Sequence, residues 1–185
     1  AARAMADSST EIRLALLTLL EQRADAEAYP YVYATFKAAT DPVEKAALIR
    51  TLGAVGDYRV APELLALLEN GEPAVKDAVR DALRRVNDTR LDAYLVSRLD
   101  SLSTPGRVEV INALAARRAE TAISELFVWS GGTDRDAAAA AVTALGELVG
   151  PAEFPRLAGL LAGGFNGEAD RLEAALMSAL RRMED

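Results

Sequence analysis

The sequence predicts an all-α fold: about five antiparallel helix pairs stacked side by side, ending in one unpaired helix. Three observations carry this reading. A leucine returns in the same local setting at Leu20, Leu52, Leu83, Leu114, Leu145 and Leu180, in steps of 32, 31, 31, 31 and 35 residues. Four residues before each stands another apolar side chain, from Leu16 and Leu48 to Leu176. A second series, Pro30, Pro62, Ala93, Ser124 and Pro155, keeps the same period. Repetition at this interval is the mark of a solenoid, in which each unit buries its apolar face only against its neighbours.

Each unit reads as an A helix carrying the leucine, followed by a B helix carrying the second series. The first unit, about 8–39, opens at Ser8-Ser9-Thr10 and turns at Ala24-Asp25. The second, 40–71, opens at Thr40-Asp41-Pro42 and turns at Gly56-Asp57. The third, 72–103, opens at Glu72-Pro73 and turns at Asn87-Asp88. The fourth, 104–132, opens at Thr104-Pro105 and turns at Arg117-Arg118. The fifth, 133–165, opens at Thr133-Asp134 and turns at Gly150-Pro151, and a last helix, 166–183, opens at Asn166-Gly167-Glu168. Short polar side chains at these starts accept hydrogen bonds from first-turn amides that have no helical partner. Proline fits there because it has no amide to lose and its φ is already helical. Two residues after each member of the second series comes Val32, Leu64, Leu95, Leu126 or Leu157, the core position of an amphipathic B helix. Gly71, Gly131-Gly132 and Gly163-Gly164 are expected to close three B helices in the left-handed cap conformation.

Composition suits this arrangement. Half the 185 residues are apolar, many of them alanine, and aromatics make up only 5%, so neighbouring helices can approach closely. A net charge of −7 opposes the basic footprint of nucleic-acid binding and disfavours docking to anionic membranes. No apolar run is long enough to span a bilayer, and a chain without cysteine fits any redox compartment. The opening residues Ala1-Ala2-Arg3-Ala4-Met5-Ala6 lack the layout of a secretory signal. They read as the tail of a preceding helix, as expected of a piece of a longer chain. The last helix would then leave an apolar stripe of Leu172, Leu176 and Leu180 uncovered, as a truncated stack or a surface for self-association would.

The stretch from Asp41-Pro42-Val43 through Leu52-Gly53-Ala54-Val55-Gly56-Asp57 to Pro62-Glu63-Leu64-Leu65 resembles the HEAT repeat, in the bacterial subtype related to phycobilisome-lyase repeats. The fifth unit repeats the pattern in Ala144-Leu145-Gly146-Glu147-Leu148-Val149-Gly150, and the other units keep its register. The resemblance covers about the whole chain, 1–185, as one solenoid. It implies a right-handed α–α superhelix with B helices lining a concave trough about 50 Å long and A helices outside. It also implies a scaffold for proteins or peptides. The family's iron-dependent hydroxylases need histidine, which is absent, and its base glycosylases rely on a basic cleft in place of this acidic balance.

Without histidine or cysteine, no Ser-His or Cys-His nucleophile and no soft metal site can form. No phosphate-binding glycine loop or calcium loop is present, so the expectation is no catalytic residue, cofactor or metal. Asp134-Arg135-Asp136 reads as first-turn complementarity to a helix dipole, with a weak cation site as the sharper alternative. The pairs Arg84-Arg85, Arg117-Arg118 and Arg181-Arg182 suit the negative ends of A helices. Asn87-Asp88-Thr89 has the form of a glycosylation sequon, at background frequency.

The candidate binding surface is positional. Flanking the B-helix core positions are Tyr31 and Thr35, Glu63, Tyr94 and Arg98, Glu125 and Trp129, and Arg156. Tyrosine, tryptophan and arginine are the residues that most often anchor interfaces. The leading reading is a non-catalytic scaffold binding a protein or peptide there, with an acidic balance that favours a basic partner. A spacer module inside a larger repeat protein, and a lyase-like accessory of an enzyme, stay open beside it.

Overall fold

A computed structural model describes residues 8–163 and 169–184. Residues 1–7, Gly164 and the helix start at Asn166-Gly167-Glu168 lie outside the described residues. Among those described there are eleven α-helices and no strand. The A helices are α1 (Thr10–Arg23), α3 (Pro42–Val55), α5 (Pro73–Arg85), α7 (Thr104–Ala116), α9 (Arg135–Leu148) and α11 (Ala169–Glu184). The B helices are α2 (Tyr29–Ala38), α4 (Ala61–Asn70), α6 (Arg90–Arg98), α8 (Ile123–Ser130) and α10 (Phe154–Gly163). The chain is thus an all-α solenoid of the predicted class.

The helix starts follow the capping chemistry. Ser9 accepts from the Ile12 amide, Asp41 from the Glu44 amide at 2.8 Å and Asp134 from the Ala137 amide at 3.2 Å. The α7 cap is Ser103, one residue before the expected Thr104, and Thr104 is already helical. Glu72 precedes α5 without capping it, so Pro73 alone sets that start. Short 3-10 turns at Ala26–Ala28, Tyr58–Val60 and Glu120–Ala122 lead into α2, α4 and α8, an addition to the expected pattern. Asp25 and Asp57 cap the first two of these turns.

The described glycines expected in left-handed caps are not in that conformation. No described glycine has positive φ; Ala24 at 48° and Arg118 at 57° take the left-handed positions instead. Gly71 is extended, and a Cβ there would lie 2.5 Å from the Leu67 carbonyl oxygen. Its requirement is therefore space, not backbone freedom.

The chain divides between Leu91 and Asp92 into two compact units. In the first, α3 packs between α1 and α5, with α2 against α3 and α4 against α5. In the second, α9 packs between α7 and α11, with α8 against α9 and α10 against α11. Both predicted core series are buried: Leu20, Leu52, Leu83, Leu114 and Leu145 on the A helices, and Val32, Leu64, Leu95, Leu126 and Leu157 on the B helices. Each such side chain contributes roughly 1.5–3 kcal/mol on leaving water.

Leu180 breaks the series, being 39% exposed. Two close approaches explain why. Ala82 of α5 lies against Gly53 of α3, and Ala175 of α11 lies against Gly146 of α9 in the same way. Leu83 follows Ala82, so its counterpart in α11 is Leu176, which follows Ala175. The period stays 31 to the end, and the 35-residue step was a slip of one helical turn. The predicted uncovered stripe shifts accordingly: Leu172 is buried, Leu176 half-buried, and Met177 and Leu180 exposed.

Candidate functional site

The eight predicted surface residues stand on the solvent-facing side of the B helices, and none is buried. Tyr31, Arg98 and Arg156 are exposed; Thr35, Glu63, Tyr94, Glu125 and Trp129 are half-buried. Tyr31, Thr35 and Glu63 belong to the first unit and the other five to the second. Their alternation with the enclosed Val32 series follows from helical geometry, since residues one position from a core residue flank it.

Several are already engaged within the fold. Glu63 accepts a hydrogen bond from the Tyr33 hydroxyl and lies 3.6 Å from Lys37 Nζ, which ties α4 to α2. Tyr33 stacks on Tyr29 one turn earlier at 5.6 Å, which leaves Tyr31 on the other side of α2. Arg156 stacks 4.1 Å over the Phe127 ring and ties α10 to α8. Trp129 lies under the Arg107 guanidinium at 4.4 Å. That arginine also donates to Leu99 O, Leu102 O and Asp134 Oδ2, so the tryptophan is pinned to a structural hub. Tyr94 and Arg98 lend backbone carbonyls to the hydroxyls of Ser97 and Ser101.

The Tyr33 contact has a pH signature. Its hydrogen bond to the Glu63 carboxylate, with burial adding to it, raises the phenol to about 12. The folded pKa exceeds the unfolded value of about 10, so this contact stabilises the fold below pH ~10. The contribution is lost as pH rises through about 12. An alkaline titration followed by phenolate absorbance should show one tyrosine ionising late in wild type. Tyr33→Phe should remove that late phase, and Glu63→Gln should move it to lower pH.

The helix-end arginines are structural as well. Arg117 Nε donates to Asp92 at 2.5 Å, with both side chains largely buried. Arg85 pairs with Glu21. Arg118 donates to Glu147 O and Arg182 to Val149 O, so each serves carbonyls at the end of the neighbouring helix α9. Asp134, a candidate cation ligand, is instead the α9 cap. Burial alone would raise its pKa, but bonds from Thr104, the Ala137 amide and Arg107 outweigh burial and lower it. Among the described residues no group of three or more acidic side chains is placed to hold a metal ion.

The A-helix side of the second unit carries a concavity that sequence reasoning missed. Ala139, Ala140 and Thr143 of α9 form its floor, Val108, Glu109 and Asn112 of α7 one wall, and Arg171 of α11 the other. Thr104, Pro105 and Asp136 close one end, and the volume is about 560 Å³. The geometry has a simple cause. Successive A helices in each unit pack directly on one another, whereas B helices of a unit make at most marginal backbone contact with each other. Within each unit the A series is the more closely packed layer. Small side chains on the middle helix then sink below the larger ones on either side.

The helix pairs, the shared 31-residue register and the tight A layer meet an independent finding: residues 35–105 match the family model for HEAT repeats. Residues 35–105 carry HEAT repeats. The match runs from Thr35 in α2 into the start of α7 and takes in the helix pairs α3–α4 and α5–α6. No curated protein matches the chain. HEAT repeats are commonly protein-interaction scaffolds. No described helix is long and apolar enough to cross a membrane.

Proposed function

We propose that this HEAT-repeat chain is a non-catalytic scaffold that binds a protein or peptide segment in the A-helix trough of its second unit. The observation that carries the reading is the trough itself, a 560 Å³ concavity with a floor of alanine and threonine. Such a floor admits a ligand's side chains or backbone close to α9, and Asn112 and Thr143 offer hydrogen-bonding groups beside it. Glu109 and Asp136 against Arg171 give an orienting pattern of charge. The net charge of −7 favours encounter with a basic partner. The absence of histidine and cysteine, with Asp134 held in a helix cap and Asp92 and Glu21 in ion pairs, supports a binding role over a catalytic one.

The B-helix surface of Tyr31, Tyr94 and Trp129 is the second reading, favoured by the exposure of Tyr31. Peptides selected on the wild-type chain from a random display library separate the two. Ala140→Arg, which fills the trough floor, should reduce their affinity at least tenfold, a loss of about 1.4 kcal/mol. The triple variant Tyr31→Ala/Tyr94→Ala/Trp129→Ala should leave it unchanged. The opposite pattern moves the site to the B helices. Selection of no peptide at all favours the spacer reading.

A further inference from the structure

We infer that the occupant of the A-helix trough is an extended segment of mixed charge. It lies across α7, α9 and α11 with a basic side chain over Glu109 and Asp136 and an acidic one at Arg171. This rests on the trough reading above and adds the chemistry of the ligand. The lining residues fall into rows set by the 31-residue register. Glu109 of α7, Ala140 of α9 and Arg171 of α11 form one row, and Asn112 and Thr143 form the next, three residues further along their helices. The first row is negative at one wall, uncharged at the floor and positive at the other wall. Asp136, one turn before Ala140, adds a second carboxylate at the closed end. It is exposed, and among the described residues it makes no ion pair or side-chain hydrogen bond. Glu109 and Arg171 are also engaged within the fold, but a carboxylate and a guanidinium each serve several partners at once. A purely basic segment meets Arg171 and a purely acidic one meets two carboxylates, so the row discriminates against both.

The second row selects the backbone form of the ligand. Asn112 is exposed, and its amide makes no hydrogen bond among the described residues, so it offers both a donor and an acceptor. The Thr143 hydroxyl donates to Ala139 O at 3.1 Å and keeps lone pairs to accept with. Such groups match the N–H and C=O of a peptide backbone. A helical ligand has already spent these on itself, whereas an extended one leaves them open. Length argues the same way. The floor from Asp136 to Thr143 is about 10 Å at 1.5 Å per residue, so a helix laid along α9 has room for only about two turns. A crossing segment has no such limit. α7 and α11 are two interaxial steps of about 8–10 Å apart, and an extended chain rises roughly 3.3 Å per residue. The basic and acidic side chains of the ligand therefore stand about four to six residues apart.

Peptides selected on the wild-type chain from a random display library, then made synthetically, test this. Those whose affinity falls at least tenfold on Ala140→Arg should share a lysine or arginine and, about four to six residues away, an aspartate or glutamate. Lysine in place of that acidic residue should weaken binding to wild type at least tenfold. Arg171→Glu, at an exposed position, should reverse the order and bind the lysine peptide more tightly, with the circular dichroism of the chain unchanged. Asp136→Lys, also at an exposed position, should do the same for a peptide whose basic residue is replaced by glutamate. Trough-dependent peptides without an acidic residue, or peptides that bind both charge variants as they bind wild type, overturn the inference and leave the trough reading standing. A peptide that turns helical on binding, seen by circular dichroism, does so too. Peptides indifferent to Ala140→Arg, or no selected peptide at all, overturn both.

Discussion

Gly146→Ala should destabilise the chain by about 2 kcal/mol, although alanine is the better helix former. A Cβ at Gly146 would sit 2.7 Å from both Cα and the carbonyl oxygen of Ala175, and 2.8 Å from its Cβ. At Gly53 it would meet Ala82 Cα at 2.6 Å. The obstacle is backbone of the neighbouring helix, which cannot rotate aside as a side-chain tip can. Overpacking of this kind costs about 1–3 kcal/mol and more when a whole helix must shift. Alanine's helix preference returns at most about 1 kcal/mol. The clash wins, and Gly53→Ala should behave alike. Gly159, exposed in α10, has no atom within 4 Å of the position its Cβ would take. Gly159→Ala should therefore stabilise by about 0.5–1 kcal/mol. Urea denaturation of the three variants reads out the contrast. If all three move the midpoint in one direction, the A helices are not in the close contact described here.

These glycines also show what the sequence could and could not disclose. Local punctuation was legible: Asp41, Asp134 and Pro73 mark helix starts through chemistry confined to four residues. The buried series was legible too, because a 31-residue period and a two-residue offset place Leu64 or Leu126 in the core without knowledge of any neighbour. The glycines following Leu52 and Leu145 marked the repeat, but nothing local said that their purpose was to admit the next A helix. That depends on which layer is packed more tightly, a property of helices 29 residues apart. The same gap concealed the trough. Ala139 and Ala140 sit in the alanine run 137–141, where buried and exposed alanines look identical in sequence. The slip at Leu180 had a related origin, since a leucine one turn from the correct position preserves the local pattern. The partners of Glu63, Arg107 and Arg156 were illegible because each reaches across to another helix.

Leu114→Ala should cost about 2–5 kcal/mol, and Leu83→Ala the same, whereas Leu180→Ala should cost less than about 1 kcal/mol. Leu114 is fully enclosed and Leu83 is 1% exposed, so truncating either removes its transfer energy and leaves a cavity. The surroundings cannot close that cavity easily. Val79 and Ala82 flank Leu83, and Val110 and Ile111 flank Leu114, all buried and already in contact with the same core. Leu180, at 39% exposure, keeps much of its surface in water before and after truncation. A sequence register running through Leu180 would make the three substitutions equivalent; the register through Leu176 makes the third mild. Equilibrium denaturation of the three variants decides between them. A loss at Leu180 matching that at Leu114 restores the 35-residue step and moves the contact face of α11 by one turn. The predicted asymmetry keeps Met177 in the position of Gly146, one period of 31 residues on.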